Sequence, residues 1–361
     1  MDAEALRAEF PVCAHRAYLN AGTCGPVPRA SLAALRDVAD HAIAEGRGSG
    51  YYERLIEVRD RLRAAYAGVL GAVASDVAIT TSTSDGIARV LLGLDLAAGD
   101  EILIAEHEHP GLIGPLIAAR ERVGVTVREV ALADLPGSVG PATRLIACSH
   151  VAWTTGEVLG DLGGLPEDLP VLLDGAQGAG AMAIDVGRLG CAFYAGSGQK
   201  WMCGPVGTGM LWVSPAWRDR LAAASPTYMN LEEPALGMAT RVWSDARAHD
   251  MTAISLETVA PALAAHDTLA AFGWENVHAR GRELAAQAAA ALAEAGREVA
   301  PRGPSTLVSW RSDDPAAEAA RLVEAGVLVR SFAGLPYVRA SIGAWNDESD
   351  LQRLVSAAAS R

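Results

Sequence analysis

The chain has 361 residues, half of them hydrophobic, and a formal net charge of −13 at pH 7. This length is ample for a large core and predicts one large domain with a smaller one. The acidic balance repels phosphate backbones, so we do not expect nucleic acid as a partner. No apolar run approaches the ~20 residues of a membrane span, and the N-terminus lacks a signal-peptide pattern. We therefore expect a soluble, cytoplasmic protein.

Short apolar strands alternate with amphipathic helices through the first part of the chain. The predicted helices include 86–94 and 112–122, and the predicted strands are 77–81, 101–105, 125–130, 144–148, 171–174, 192–196 and 209–213. Such alternation is typical of an α/β domain whose seven-stranded, mostly parallel sheet is covered by helices. We place this large domain at residues 15–254.

The pattern changes after about residue 255. A long helical stretch to about residue 296 is followed by a strand at 305–310, a helix at 315–325, short strands at 327–330 and 337–342, and a final helix after Asn346. This succession predicts a small α+β domain formed by residues 255–361, with residues 1–14 packed against it.

Polar or small residues follow several of the predicted strands, where ligands bind in open α/β sheets. Asp174 ends the apolar run VLLD and precedes Gln177. An acid there can face a ligand or cap the next helix, and both interpretations stay open. Likewise, Thr83 and Ser84 between a strand and a helix suit an anion site or a plain helix cap. His109, after the strand EILIA, can stack on an aromatic ring or be structural.

Lys200 is the only lysine in the chain, although Lys and Arg together number 30. It follows the predicted strand AFYAG in the segment Ser197-Gly-Gln199-Lys200-Trp. A lysine with a lowered pKa can act as an amine nucleophile, whereas a guanidinium cannot. Composition alone leaves open whether chance or a chemical requirement kept this residue.

Other cofactor and metal motifs are missing from the sequence. The glycines of 175–180 follow the order GxxGxG and not the GxGxxG of a dinucleotide site. There is no GxxxxGK[ST] loop and no HExxH pair. The five cysteines show no CxxC spacing and are interpreted as buried thiols, so we expect no metal site.

Taken together, these segments resemble the class V aminotransferase family of enzymes that use pyridoxal 5′-phosphate (PLP) and have fold type I. The resemblance runs from the segment YLNAG at 18–22 to VRAS at 338–341. It implies that PLP is held as a Schiff base on Lys200, with Asp174 at the pyridinium nitrogen and Gln177 near the ring hydroxyl. It also implies that His109 stacks on the ring and takes part in proton transfer.

The same resemblance implies the remaining site residues. The phosphate is assigned to Thr83, Ser84, Ser197 and Gln199. Arg339 is expected to grip the substrate α-carboxylate bidentately. A segment containing Arg247 and Thr252 is expected to reach the site of a neighbouring subunit, with Thr252 binding the cofactor there. A homodimer with shared active sites is therefore implied.

Three departures from the family pattern concern the substrate. Residues 330–336, before the carboxylate-binding arginine, contain no cysteine, whereas cysteine desulfurases carry their nucleophilic cysteine there. Trp153 stands where many relatives have asparagine, so we assign it to substrate binding. His249 and Met251 interrupt the segment predicted to cross to the neighbouring subunit.

These observations favour an enzyme that eliminates the sulfur substituent of a cysteine-derived L-amino acid, a C–S lyase without a persulfide cysteine. A class V aminotransferase or an amino-acid epimerase would use the same residues. A regulatory protein that keeps the cofactor is a further alternative, and the presence of Lys200, Asp174 and Arg339 argues against it.

Overall fold

The computed structural model describes residues 1–359. Before the central sheet, the chain forms α1 (Ala3–Ala8), the short strand β1 (Ala17–Tyr18), and the long helices α2 (Arg29–Glu45) and α3 (Ser49–Leu70). None of the helices among these described residues combines the length and the apolar character needed to cross a membrane.

The central sheet has seven strands, as the sequence predicts. They are β2 (Val77–Thr80), β3 (Glu101–Ala105), β4 (Thr126–Val130), β5 (Thr143–Ser149), β6 (Val171–Asp174), β7 (Phe193–Ser197) and β8 (Gly209–Val213). Their spatial order is β2-β8-β7-β6-β5-β3-β4, and the pairs from β4 to β7 are all parallel. Only β8 runs antiparallel to its neighbours β7 and β2.

Helices cover both faces of this sheet, because its inner strands are apolar on both faces. On one face, α4 (Thr83–Gly93) and α5 (Pro110–Val123) bury a cluster around Ile87, Leu112 and Phe193. On the other, α3 and α6 (Leu256–Phe272) bury a second cluster around Leu62 and Tyr194. The two hydrophobic clusters fix the carboxyl edge of the sheet, where the predicted site residues lie.

The C-terminal region contains α7 (Trp274–Glu294), β9 (Leu307–Arg311), α8 (Pro315–Glu324), β10 (Val327–Leu328), β11 (Arg330–Ser331), β12 (Tyr337–Ser341) and α9 (Glu348–Ala359). Strands β11, β12 and β9 form an antiparallel sheet, while β10 pairs with β1. Arg7 of α1 bonds to Asp350 of α9, which holds the N-terminus here. The division into residues 15–254 and residues 1–14 plus 255–361 stays a prediction.

Two predicted elements in this region are wrong in detail. The long helical stretch is two helices, because Gly273 adopts φ +92° and ends α6. The predicted strand at 327–330 is two short strands that belong to different sheets. Both breaks depend on backbone geometry that hydrophobic patterning does not encode.

A buried ion pair joins α3 to the loop after residue 246. Asp250, fully buried, accepts 2.7 Å hydrogen bonds from both terminal nitrogens of Arg63 and one of 2.8 Å from the Ile79 amide. Arg59 is buried nearby, and two of its guanidinium nitrogens lack a partner among the described residues. Asp250 is thus the buried carboxylate that pairs with Arg63, and its charge also acts on Arg59.

We expect Asp250→Asn to lower the free energy of unfolding by ~3–5 kcal/mol, since removing one partner leaves a buried charge uncompensated. The measurement is the chemical-denaturation midpoint of the purified protein. Asp37→Asn is the matched control, because Asp37 pairs with Arg54 at the surface, and its midpoint should stay near that of the unmodified chain. Equal shifts for both variants would contradict this account.

Candidate active site

Lys200 lies in the turn after β7, at the carboxyl edge of the sheet. It is 9% exposed. Its backbone carbonyl oxygen accepts a hydrogen bond from the Cys203 amide, whereas its side-chain amine has no hydrogen-bond or ion-pair partner among the residues that the structure describes. Burial lowers the pKa of its amine from 10.5 to about 8, Arg339 and Arg330 lower it as well, and Asp174 opposes them. A neutral amine is therefore accessible near physiological pH, as a nucleophile or base requires.

Asp174 ends β6, the strand next to β7. Its carboxylate is buried and accepts a 2.9 Å hydrogen bond from the Ala176 amide. Burial raises its pKa, while the nearby Lys200 charge lowers it. The adjacent ends of β6 and β7 therefore bring Asp174 and Lys200 to the same edge of the sheet.

Glu108 is a buried carboxylate for which the sequence predicts no role. It accepts hydrogen bonds from the Ser149 amide (2.7 Å) and the Ser149 hydroxyl (2.5 Å). Burial, with a smaller contribution from the neighbouring Asp174, raises the pKa of Glu108 to about 7, although the hydrogen bonds from Ser149 lower it. Ser149 is itself paired with Asp174 in the sheet register. The only sequence signal was its place directly before His109.

His109 is the N-cap of α5, and its Nδ1 accepts a 2.9 Å hydrogen bond from the Gly111 amide. Burial lowers its pKa to about 4, and the Lys200, Arg330 and Arg339 charges act in the same direction. The imidazole is therefore neutral at physiological pH and presents a flat, uncharged surface beside Lys200. Stacking on a cofactor ring stays a prediction.

Trp153 fills the space between His109 and Phe332. Its indole meets His109 edge-on at 4.9 Å and Phe332 at 4.6 Å between ring centroids. Its Nε1 donates to the His107 carbonyl oxygen at 2.7 Å, and its own carbonyl oxygen accepts from Arg339 Nη1. Trp153 thus holds the arginine through its backbone, while its side chain lies between His109 and Phe332. Its role in substrate binding stays a prediction.

Arg339, on β12, is 1% exposed and its Nε lacks a partner among the described residues. Burial and the neighbouring Arg330 lower its pKa to about 9. A Cβ at Gly22 would lie 2.8 Å from Arg339 Nη2 and 2.7 Å from the unpaired Ser341 hydroxyl. A side chain at position 22 would therefore crowd the Arg339 guanidinium and the Ser341 hydroxyl.

A group of hydroxyls lies at the N-terminus of α4. The Thr83 and Ser197 hydroxyls are 2.6 Å apart, and the Thr83 amide also points to the Ser197 oxygen. A Cβ at Gly111 would lie 2.5 Å from the Ser84 hydroxyl, which places Ser84 beside the N-terminus of α5. Gln199, one residue before Lys200, has a buried side-chain oxygen without a described partner. Helix N-terminal amides with hydroxyls form an anion site.

The other predicted site residues have different surroundings. Gln177 is buried, donating to the Gly22 carbonyl oxygen and accepting from Trp201 Nε1. Arg247 pairs with Asp245, and Thr252 contacts the Thr227 hydroxyl. The role of Thr252 in a neighbouring subunit stays a prediction.

The donor set fits the predicted cofactor. A buried amine, a buried carboxylate, a neutral imidazole and a hydroxyl-lined helix N-terminus match the aldehyde, ring nitrogen, ring face and phosphate of PLP. The unpaired buried atoms of Gln199, Arg339 and Ser341 are groups that a bound molecule would satisfy. Among residues 1–359, no group of three or more metal-ligating side chains is placed to hold a metal ion.

Comparison with known proteins gives one family. A family model described as "Aminotransferase class-V" matches residues 17–354. The chain is 32% identical over 230 residues to a "Probable cysteine desulfurase" of Methanothermobacter thermautotrophicus, covering 59% of this chain and 57% of that protein. It is 28% identical over 378 residues to the isopenicillin N epimerase of Streptomyces clavuligerus, covering 94% of this chain and 93% of that protein.

Two solved structures share the fold over nearly the whole chain. A mutant of C-DES with glycine covalently linked to its PLP cofactor superposes with a TM-score of 0.90 at 28% identity, covering 98% of this chain and 99% of that one. The complex of the cystine C-S lyase C-DES with its product cysteine persulfide gives 0.91 at 27% identity, covering 97% and 99%.

We expect Glu108→Gln to flatten the pH dependence of stability. Because the folded pKa of Glu108 is about 7, above its ordinary 4.5, the folded state keeps a proton that the unfolded state loses. Stability therefore falls as pH rises from about 4.5 through about 7. The measurement is the melting temperature from pH 4.5 to 8, with Glu106→Gln, an exposed neighbour, as control. Parallel profiles for Glu108→Gln and the unmodified protein would contradict this assignment.

Proposed function

The chain belongs to the class V aminotransferase family of PLP-dependent enzymes, and on that premise we propose that it is a C–S lyase acting by β-elimination on a cysteine-derived L-amino acid. The observation that carries the proposal is the loop before Arg339. Phe332 lies there, packed on Trp153, and no cysteine is present in residues 330–336. The similarity to a cystine C-S lyase over 97% of the chain supports it.

The cofactor is PLP, which supplies an electron sink for negative charge that develops at the substrate Cα. Arg339 binds the α-carboxylate with paired charge-assisted hydrogen bonds, strengthened by its burial. With the cofactor bound, Asp174 would hold a proton at the ring nitrogen. His109, which is neutral, would cover the ring without adding charge.

Lys200 moves the proton. Its lowered pKa lets the neutral amine take the Cα proton. When the Cβ–S bond breaks, its electron pair leaves with sulfur, and the pair that the proton left at Cα forms a Cα=Cβ double bond. The proton held by Lys200 would then pass to the departing thiolate. After hydrolysis the products are a keto acid, ammonia and a thiol, and the enzyme returns to its starting state without an amino acceptor.

Epimerisation is a second candidate, favoured by the alignment with an isopenicillin N epimerase over 94% of this chain. It requires return of a proton to the opposite face of Cα. The two reactions separate in deuterated water. Epimerisation exchanges the α-hydrogen and releases no keto acid, whereas elimination releases keto acid.

The test of the proposed function is turnover of S-substituted L-cysteines by the holoenzyme with no added keto acid. We expect repeated release of pyruvate and ammonia, and a ~10³-fold loss in Lys200→Ala, the magnitude typical of a lost proton-transfer group. A requirement for a keto-acid acceptor would show transamination and overturn the proposal.

Substitution of Cys24 tests whether a protein thiol takes part in the reaction. Its thiol is partly exposed and close enough to Lys200 to affect the pKa of that amine. We expect Cys24→Ser to keep at least about half of the turnover, because elimination needs no protein thiol. Loss of turnover in Cys24→Ser, with PLP content unchanged, would assign the sulfur transfer to this cysteine and contradict direct elimination.

A further inference from the structure

We propose that the substrate carries a second anionic group, a carboxylate on its sulfur substituent, and that Arg330 binds this group while Arg339 binds the α-carboxylate. The inference rests on the proposed function, since it names the class of cysteine derivative. The observation behind it is a pair of arginines, Arg330 and Arg339, that form no ion pair with any residue that the structure describes.

The two arginines are direct cross-strand neighbours. Arg330 on β11 is paired with Arg339 on β12 in antiparallel register. Residues directly opposite each other in an antiparallel pair project from the same face of the sheet. Like charges in this position destabilise the pair, so the arrangement calls for negative charge between or beside them.

The protein supplies no such charge among the residues that the structure describes. Arg339 donates to the Trp153 carbonyl oxygen, and Arg330 donates to the Thr23 hydroxyl at 3.2 Å. Both guanidiniums also contact the ring of Phe332, at 5.0 Å and 5.6 Å from its centroid. All these partners are neutral. Acidic residues are not scarce, since the chain has 43 of them.

Both cations act on the reacting centre. Each lowers the pKa of Lys200 and of His109, which places the two guanidiniums within electrostatic reach of the amine. Arg339 is buried, with 1% of its surface accessible, whereas Arg330 is exposed to solvent. This difference in depth assigns the α-carboxylate to the inner arginine and the second anion to the outer one.

The surface between the buried Arg339 and the exposed Arg330 is aromatic, and it suits the apolar part of such a substrate. Phe332 contacts both arginines, and its ring packs on Trp153 at 4.6 Å. Aromatic faces make favourable contacts with thioether sulfur and methylene groups. A substrate side chain made of sulfur, a short methylene chain and a terminal carboxylate therefore matches the order of these surfaces. Its apolar part would contact Phe332, and its carboxylate would reach Arg330.

The test compares two nearly isosteric substrates, S-(2-carboxyethyl)-L-cysteine and its uncharged amide S-(2-carbamoylethyl)-L-cysteine, with the holoenzyme. We expect kcat/KM to favour the acid by ~10–100-fold, the value of one charge-assisted hydrogen bond. Arg330→Gln should remove this preference by lowering kcat/KM for the acid only. The exposed Arg282→Gln on α7 is the matched control and should keep it.

Two results would overturn the inference. Equal kcat/KM for acid and amide in the unmodified enzyme would show that no second anion is recognised. An equal loss on both substrates in Arg330→Gln would show that Arg330 shares the α-carboxylate with Arg339.

A binding measurement tests the second anion site independently of the lyase reaction. Calorimetric titration of the holoenzyme with glutarate and with butyrate should give at least about tenfold tighter binding of the dicarboxylate, and Arg330→Gln should abolish the difference. If this preference is found without any elimination, the lyase assignment fails and the second anion site stands. If elimination occurs and glutarate binds no tighter than butyrate, the second anion site fails alone.

Discussion

Burial of one primary amine at the carboxyl edge of the sheet is the constraint on which the rest of the site depends. Lys200 is removed from water, and no carboxylate of residues 1–359 forms a hydrogen bond with its amine, so its charged form is disfavoured. Asp174, at the end of the neighbouring strand, raises the pKa of Lys200, whereas Arg339 and Arg330 of the C-terminal sheet lower it further. The amine that results suits both attachment of PLP and movement of a proton.

The fold supplies this environment from separate parts of the chain. Strands β6 and β7 bring Asp174 and Lys200 to one edge, and the antiparallel strand β12 brings Arg339 from the C-terminal region. The N-terminal loop closes the arrangement, because Gly22 approaches Arg339 and the Gly25 amide donates to the Gln199 carbonyl oxygen. Packing between the two regions is therefore part of the site.

The sequence predicted the elements that follow simple rules. The seven strands follow from alternating apolar runs, and the meeting of Asp174 with Lys200 follows from the topology of parallel sheets.

The environment of Glu108 could not be predicted, since its partner Ser149 is 41 residues away. Nor could the pairing of Arg330 with Arg339, because register between short strands depends on tertiary packing. Trp153 was recognised as a departure, but its contact with Phe332 required the structure.

The most direct test of the account is to locate the cofactor on the chain. Borohydride reduction of the PLP-loaded protein, followed by mass spectrometry of its peptides, fixes the cofactor to the amine that holds it. We expect one adduct per chain, on the peptide that contains Lys200, the only lysine. An adduct on the N-terminal amine alone, or no adduct in a protein that retains PLP, would contradict the central role assigned to Lys200.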